Sequence, residues 1–137
     1  MYQAVNNDDA DVILVVDDEL DVLDTVRRGL TSWGHQVDTF SDPRIALETF
    51  TATPARYSLM LTDFRMPGMS GVELAKQAQT IKSDVKVLIM TAFELDSEIL
   101  KEAPTIDKSE ILKKPFQLKQ LCNAVTKQLT LNKMSRG

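Results

Sequence analysis

Apolar and polar positions along this chain follow two periods in turn, and the switches between them mark five strand-helix units. Val12-Ile13-Leu14-Val15-Val16 is an unbroken apolar run rich in β-branched residues, which suits a strand covered on both faces, as in a parallel sheet. It stops at Asp17-Asp18-Glu19. Val22, Val26, Leu30 and Trp33 then recur at helical spacing, with Gly34 where a left-handed helix end would fall. Gln36 to Phe40 alternates as a short strand. Ser41-Asp42-Pro43 supplies a cap and a first-turn proline for a helix carrying Ile45, Ala46 and Phe50, which Pro54 closes. Ser58 to Asp63 is the third strand, ending on a single carboxylate. After the turn at Pro67-Gly68, Ser70 and Glu73 have capping-box spacing for a helix with Leu74, Ala75, Ala78 and Ile81 inward. Val85 to Met90 is a fourth strand ending at Thr91. A fourth helix with Leu95 and Ile99 on its apolar face must end near Pro104. Ile111-Leu112-Lys113 is a short fifth strand before Lys114-Pro115, and Leu118, Leu121, Cys122, Val125 and Leu129 mark a final helix.

Five units in this order predict a flavodoxin-like doubly wound α/β sandwich, a (βα)5 fold whose parallel sheet has strand order 2-1-3-4-5 and right-handed crossovers. With 137 residues, 43% of them hydrophobic, the chain is long enough for one core and too short for two ordinary domains. Residues 1–10 read as a polar, flexible lead-in, 11–130 as the domain, and 131–137 as a polar, mildly basic tail or the start of a linker. Cys122 is the only cysteine, so an internal disulfide and a cysteine-based zinc cluster are both excluded, and a small buried apolar role is expected for it. No apolar run approaches the roughly 20 residues of a membrane span, and the N-terminus lacks the basic and apolar segments of a signal peptide, so a cytoplasmic protein without membrane contact is expected. The net charge of −4 and pI near 5.0 argue against direct nucleic-acid binding by this domain.

Ligands of such sheets sit outside the carboxyl ends of the strands. Four strands there end in polar residues: Asp17 and Asp18 after the first, Asp63 after the third, Thr91 after the fourth, Lys114 after the fifth. Any one of these is commonly a helix cap or a solvated loop residue. Their coincidence at one rim is what points to a site. Three carboxylates and one ammonium sum to −2, a charge that either raises a carboxylate pKa or recruits a divalent cation. An oxygen-only set with few protein ligands suits Mg²⁺, with Mn²⁺ as a possible substitute, whereas zinc would want nitrogen or sulfur. His35, in the turn after the first helix, belongs to the opposite side of the sheet. A carboxylate beside such a metal can attack phosphorus and form an aspartyl phosphate, and phosphoryl transfer asks the protein mainly for positioning and neutralisation. Asp63 stands singly on the central strand and is the best nucleophile; the adjacent pair is better suited to metal.

Over about residues 11–130 the chain resembles a response-regulator receiver domain of two-component signalling. The likeness rests on Asp17-Asp18, on the block Thr62 to Gly71, on Met90-Thr91-Ala92 and on Lys114-Pro115-Phe116. The resemblance implies that Asp63 accepts a phosphoryl group from a phosphohistidine on a sensor histidine kinase or phosphotransfer protein. It implies direct Mg²⁺ ligation by Asp18, Asp63 and the backbone carbonyl of Arg65, with Asp17 acting through water, and phosphoryl contacts from Thr91 and Lys114. It makes the chain a signalling domain assisting its own phosphorylation and dephosphorylation, not an enzyme with a separate substrate.

Departures from the family pattern are also visible. The switch position Ile111 holds an aliphatic residue where the family usually has Tyr or Phe. The stretch Ala103 to Glu110 replaces a small Gly-Ala turn, so a short or mobile fourth helix is expected. Arg65 and Phe93, two residues after Asp63 and Thr91, flank the path of hydrolytic water and are expected to set the lifetime of the phosphorylated form. The expected output surface is the fourth helix, fifth strand and fifth helix, facing an effector domain or protein, or a second copy of the chain. Two alternatives stay open: a receiver-like module that is never phosphorylated, and a haloacid-dehalogenase-type phosphatase, which would need Asp-x-Asp on its nucleophile strand and a cap segment.

Overall fold

A computed structural model describes residues 11–92 and 96–136, with only the backbone described at 96 and 132–136. In chain order the elements are β1 (Val12–Val16), α1 (Leu20–Ser32), β2 (Gln36–Phe40), α2 (Pro43–Ala52), β3 (Tyr57–Asp63), α3 (Gly71–Ile81), β4 (Lys86–Ala92), α4 (Asp96–Glu102), β5 (Ile111–Lys114) and α5 (Leu118–Arg136). All four strand pairings are parallel and the order is β2-β1-β3-β4-β5, as the alternation of periods predicts.

Covering both faces of the sheet splits the core in two. Val12, Leu14 and Val16 of β1 point into a cluster with Phe50 of α2, Leu74 and Ala78 of α3 and Ile99 of α4. Ile13 and Val15 point the other way, into Val26 and Leu30 of α1 and Leu121, Cys122 and Val125 of α5. Both alternating sets are therefore buried, which is why β1 reads as a continuous apolar run. The caps are equally local. Asp42 accepts from the Arg44 N–H ahead of Pro43, Ser70 and Glu73 form the reciprocal capping box, and Gly34 takes φ +92° beyond α1. Cys122 is buried, as expected of a small apolar side chain.

Several expectations need correction. Trp33, Ile45, Ile81 and Leu118 are 49%, 52%, 42% and 47% exposed and do not belong to the buried stripes. Trp33 is the C-cap of α1, Ile81 is the last residue of α3 and Leu118 the first of α5, so three of the four sit where a helix leaves the sheet. On α2, Ala46 and Phe50, one turn apart, take the inward direction, and Ile45 stands about 100° round from them. The fourth strand runs on through Thr91 to Ala92. The last helix continues to Arg136, beyond the Leu129 that ends its apolar pattern. Short 3₁₀ turns at Pro54–Arg56 and Lys108–Glu110 have no counterpart in the sequence reading. As expected, α4 is short, at seven residues, and ends two positions before Pro104. The lead-in 1–10, Phe93 and Leu95 lie outside the described residues. Among the described residues no helix is long and apolar enough to cross a membrane.

Candidate functional site

Parallel pairing sends every strand to the same rim, and register decides which side chains meet there. Val16 lies beside Phe40 and Thr62, so Asp17, the next residue, leaves β1 level with the end of β3. Its N–H donates to the Phe40 carbonyl at 3.1 Å and its side chain is fully buried. Asp63 closes β3 beside Met90 and is 8% exposed. Lys114 closes β5 beside Ala92, ahead of a cis peptide bond to Pro115. Its Nζ stands 2.9 Å from Asp17 Oδ2, 3.1 Å from Asp63 Oδ1 and 3.5 Å from Glu19 Oε1. Carboxylate oxygens of Asp17, Asp18 and Asp63 come within 4.8 Å of one another, with Asp18 on the exposed side. Thr91, buried at the end of β4, faces the same cleft with Asp18, Glu19, Asp63, Phe64, Arg65, Ala92 and Lys114, a space of about 290 Å³.

The loop after Asp63 is fixed by its own sequence. A Cβ on Gly71 would sit 2.1 Å from the Asp63 carbonyl oxygen and 3.1 Å from Thr62 Cγ2, so α3 begins in direct contact with the strand end and only glycine fits. The Gly71 N–H donates to the Phe64 carbonyl at 2.7 Å, and the Phe64 N–H to the Met90 carbonyl at 2.9 Å, tying loop to sheet. Gly68 turns with φ +87°, and the Arg44 guanidinium of α2 lies against it.

Electrostatics follow from this packing. Burial pushes the Asp63 carboxyl above its usual range and the charge of Asp17 adds to it; Lys114 and the Phe64 N–H oppose without cancelling the rise. Asp17 is likewise raised by burial, against a hydrogen bond from the Glu19 N–H and the contact with Lys114. Burial alone would lower the Lys114 ammonium, but hydrogen bonding and charge from Asp17 and Asp63 outweigh it, so Lys114 is raised and stays cationic. One ammonium thus spans two buried carboxylates and leaves them under-neutralised. The donor set is oxygen only and offers Asp17, Asp18 and Asp63, which fits a hard divalent cation such as Mg²⁺ and not a nitrogen- or sulfur-seeking metal.

The structure brings Asp17, Asp18, Asp63, Arg65, Thr91 and Lys114 to one cleft, and Phe93 falls outside the described residues. Ile111 stands at the start of β5 beside Ile89, partly buried against the core. His35 is at the opposite edge, ahead of β2, and burial lowers its pKa. Sequence reasoning assigned no role to Glu19, whose carboxylate is a third acceptor near Lys114 and whose N–H donates to Asp17 Oδ1 at 2.9 Å. Its adjacency to the acidic pair was the available signal. It also missed the ion pair between Arg65 and Glu98 of α4, which are 33 positions apart and give no local pattern.

Comparison with known proteins points the same way. The family model for the response regulator receiver domain matches residues 13–126. The response regulator receiver protein CpdR of Brucella abortus is 34% identical over 122 residues, covering 85% of this chain and 95% of the relative. Sporulation initiation phosphotransferase F of Bacillus subtilis is 32% identical over 120 residues, covering 87% and 94%. Among solved structures, a response regulator receiver domain protein from Clostridium thermocellum superposes with a TM-score of 0.81 at 29% identity, covering 90% of this chain and 98% of that one.

Proposed function

This chain belongs to the response-regulator receiver family, and from that premise we propose that Asp63 is its phosphoryl acceptor, charged by a phosphohistidine of a sensor histidine kinase or phosphotransfer protein. The observation that carries this reading is the convergence of Asp17, Asp63 and Lys114 within 3.1 Å contacts at the ends of three different strands. In the transfer an Asp63 carboxylate oxygen forms the new P–O bond while the P–N bond breaks, and the histidine nitrogen keeps that electron pair and takes a proton from solvent. Lys114 stays cationic beside the acceptor, so it can neutralise charge on the phosphoryl oxygens. Thr91 offers a hydroxyl from the neighbouring strand end.

Mg²⁺ would be held by Asp18, Asp63 and the Arg65 carbonyl, with Asp17 acting through water; when bound it supplies charge neutralisation for the phosphoryl oxygens. The raised carboxyls of Asp17 and Asp63 support a site that gains from a cation. Arg65 lines the cleft and is assigned, with Phe93, to control of hydrolytic water and so of the phosphorylated lifetime.

Phosphorylation adds roughly one negative charge and new acceptor oxygens, by analogy with phosphorylated hydroxyls. Shifting a two-state equilibrium from 1:99 to 99:1 takes about 5.5 kcal/mol, within reach of two charge-assisted hydrogen bonds at about 1.5–3 kcal/mol each. The readout surface is α4, β5 and α5, offered to an effector domain or protein or to a second copy of the chain. Intact mass after acetyl phosphate with Mg²⁺ tests the core of this. Wild type is expected to gain one phosphoryl group and Asp63→Asn none; a folded wild type that gains none overturns the reading.

A further inference from the structure

The aliphatic Ile111 leaves open what connects the acceptor to α4, and the contacts of α4 give an answer. Of its described side chains only Ile99 is buried, while Leu100 is 48% exposed. Among the described residues, the polar contacts of α4 run to the β3–α3 segment that starts at Asp63. Arg65 pairs with Glu98 in the first half of α4. At the other end, Ser70 Oγ lies 3.0 Å from Glu102 Oε1 and Lys76 Nζ donates to the Glu102 carbonyl at 2.6 Å. Arg65 is also a wall of the acceptor cleft, packs its guanidinium over the Phe64 ring at 5.9 Å, and is 60% exposed, so the side chain has room to turn.

We propose that Arg65 is the element coupling Asp63 to α4: in the resting protein its guanidinium holds Glu98, and once Asp63 is phosphorylated it turns to the phosphoryl oxygens and releases the first half of α4. The inference rests on Asp63 being the phosphoryl acceptor. Its chemistry is a competition for one guanidinium. Glu98 offers a single negative charge at an exposed site, where such a pair is weak and screened. A phosphoryl group two residues from Arg65 offers more charge and acceptor oxygens in the planar spacing that a guanidinium binds in two-pronged fashion. Ser70 and Lys76 keep Glu102 in place, so α4 pivots about its C-terminal end and is not lost.

Hydrogen exchange on the full chain reads this directly. The first amides of a helix donate to no helical carbonyl, so the informative ones are Leu100 to Ala103, including the Ala103 N–H on the Ile99 carbonyl at 2.8 Å. In wild type, beryllofluoride with Mg²⁺ should speed their exchange about two- to fivefold, the range set by one exposed ion pair. Glu98→Gln should reach that rate without the mimic while still gaining a phosphoryl group from acetyl phosphate, since Glu98 does not line the acceptor cleft. Pairing Arg65→Glu with Glu98→Arg should restore slow exchange at rest, which separates loss of the ion pair from loss of folding. Exchange unchanged in Glu98→Gln, or unaltered by a mimic whose binding is seen by fluorine NMR, overturns the coupling and leaves the acceptor intact. Absence of any phosphoryl gain in wild type overturns the acceptor reading itself and the coupling with it.

Discussion

β3 buries all seven of its residues, whereas α4, an element of the same length, buries one of its six described side chains. The strand holds Asp63, the proposed acceptor, at its tip; the helix belongs to the surface proposed for output. Buried apolar contacts are what make opening costly, and segments with few of them open at a fraction of the global stability. The strand is held by the sheet and by both core clusters, and the helix, among the described residues, by Ile99 and three polar contacts. A signalling domain needs this inequality: a reactive group must be held still, while the reporting element must have two arrangements of similar energy.

Two apolar truncations, one under the sheet and one under α4, should differ most. Phe50 is fully buried, stacks with Tyr57 at 6.0 Å between centroids and belongs to the cluster beneath β1 and β3. Phe50→Ala should cost about 3–5 kcal/mol, a loss the whole fold must absorb. Ile99 is just as buried, but it is the one buried side chain among those described in its helix. Ile99→Ala should therefore lower global stability by less than about 2 kcal/mol, below what a truncation held in place by its surroundings costs, while exchange of the α4 amides rises sharply. Urea midpoints of the two variants decide it. Equal losses would make α4 an integral part of the core and break the contrast.

The same contrast governs how much the sequence disclosed. β1 was legible because burial on both faces leaves no polar position in Val12–Val16, and α2 and α3 because Asp42, Pro43, Ser70 and Glu73 carry their caps locally. Asp17, Asp63, Thr91 and Lys114 were legible because parallel topology sends all strand ends to one rim, so polar residues after apolar runs had to meet. Around α4 no such convergence helps. Its boundary with Pro104 was readable, but Arg65–Glu98 and Ser70–Glu102 join residues 33 and 32 positions apart through polar side chains that obey no period. Helix ends misled for a related reason: Trp33, Ile81 and Leu118 continue an apolar pattern past the point where the sheet can cover it. At the other end of α5, Leu131 to Arg136 stays helical with little apolar pattern to announce it.

The smallest effect concerns charge in the better-packed region. Asp63 is raised in the folded state by burial first and by Asp17 second, and Lys114 does not fully offset them. A carboxylate with a raised folded pKa stabilises the fold below its unfolded value of 3.8, and that contribution is lost as pH rises through the folded value. Where it is ionised, Asp63 therefore weakens the metal-free protein. Asp63→Asn removes that charge and keeps a side-chain oxygen able to accept from Lys114, so it should stabilise the metal-free chain by on the order of 1 kcal/mol. The gain should vanish below about pH 3.8, where the wild-type carboxyl is protonated in both states, and grow as pH rises through the folded pKa. Adding Mg²⁺ should close the gap from the other side, stabilising wild type more than the variant by mass action on the native state. Thermal melts across pH, with and without the metal, measure both. A variant no more stable than wild type at neutral pH would mean that Lys114 fully satisfies Asp63, and that the tight packing of β3 does not hold its carboxylate under tension.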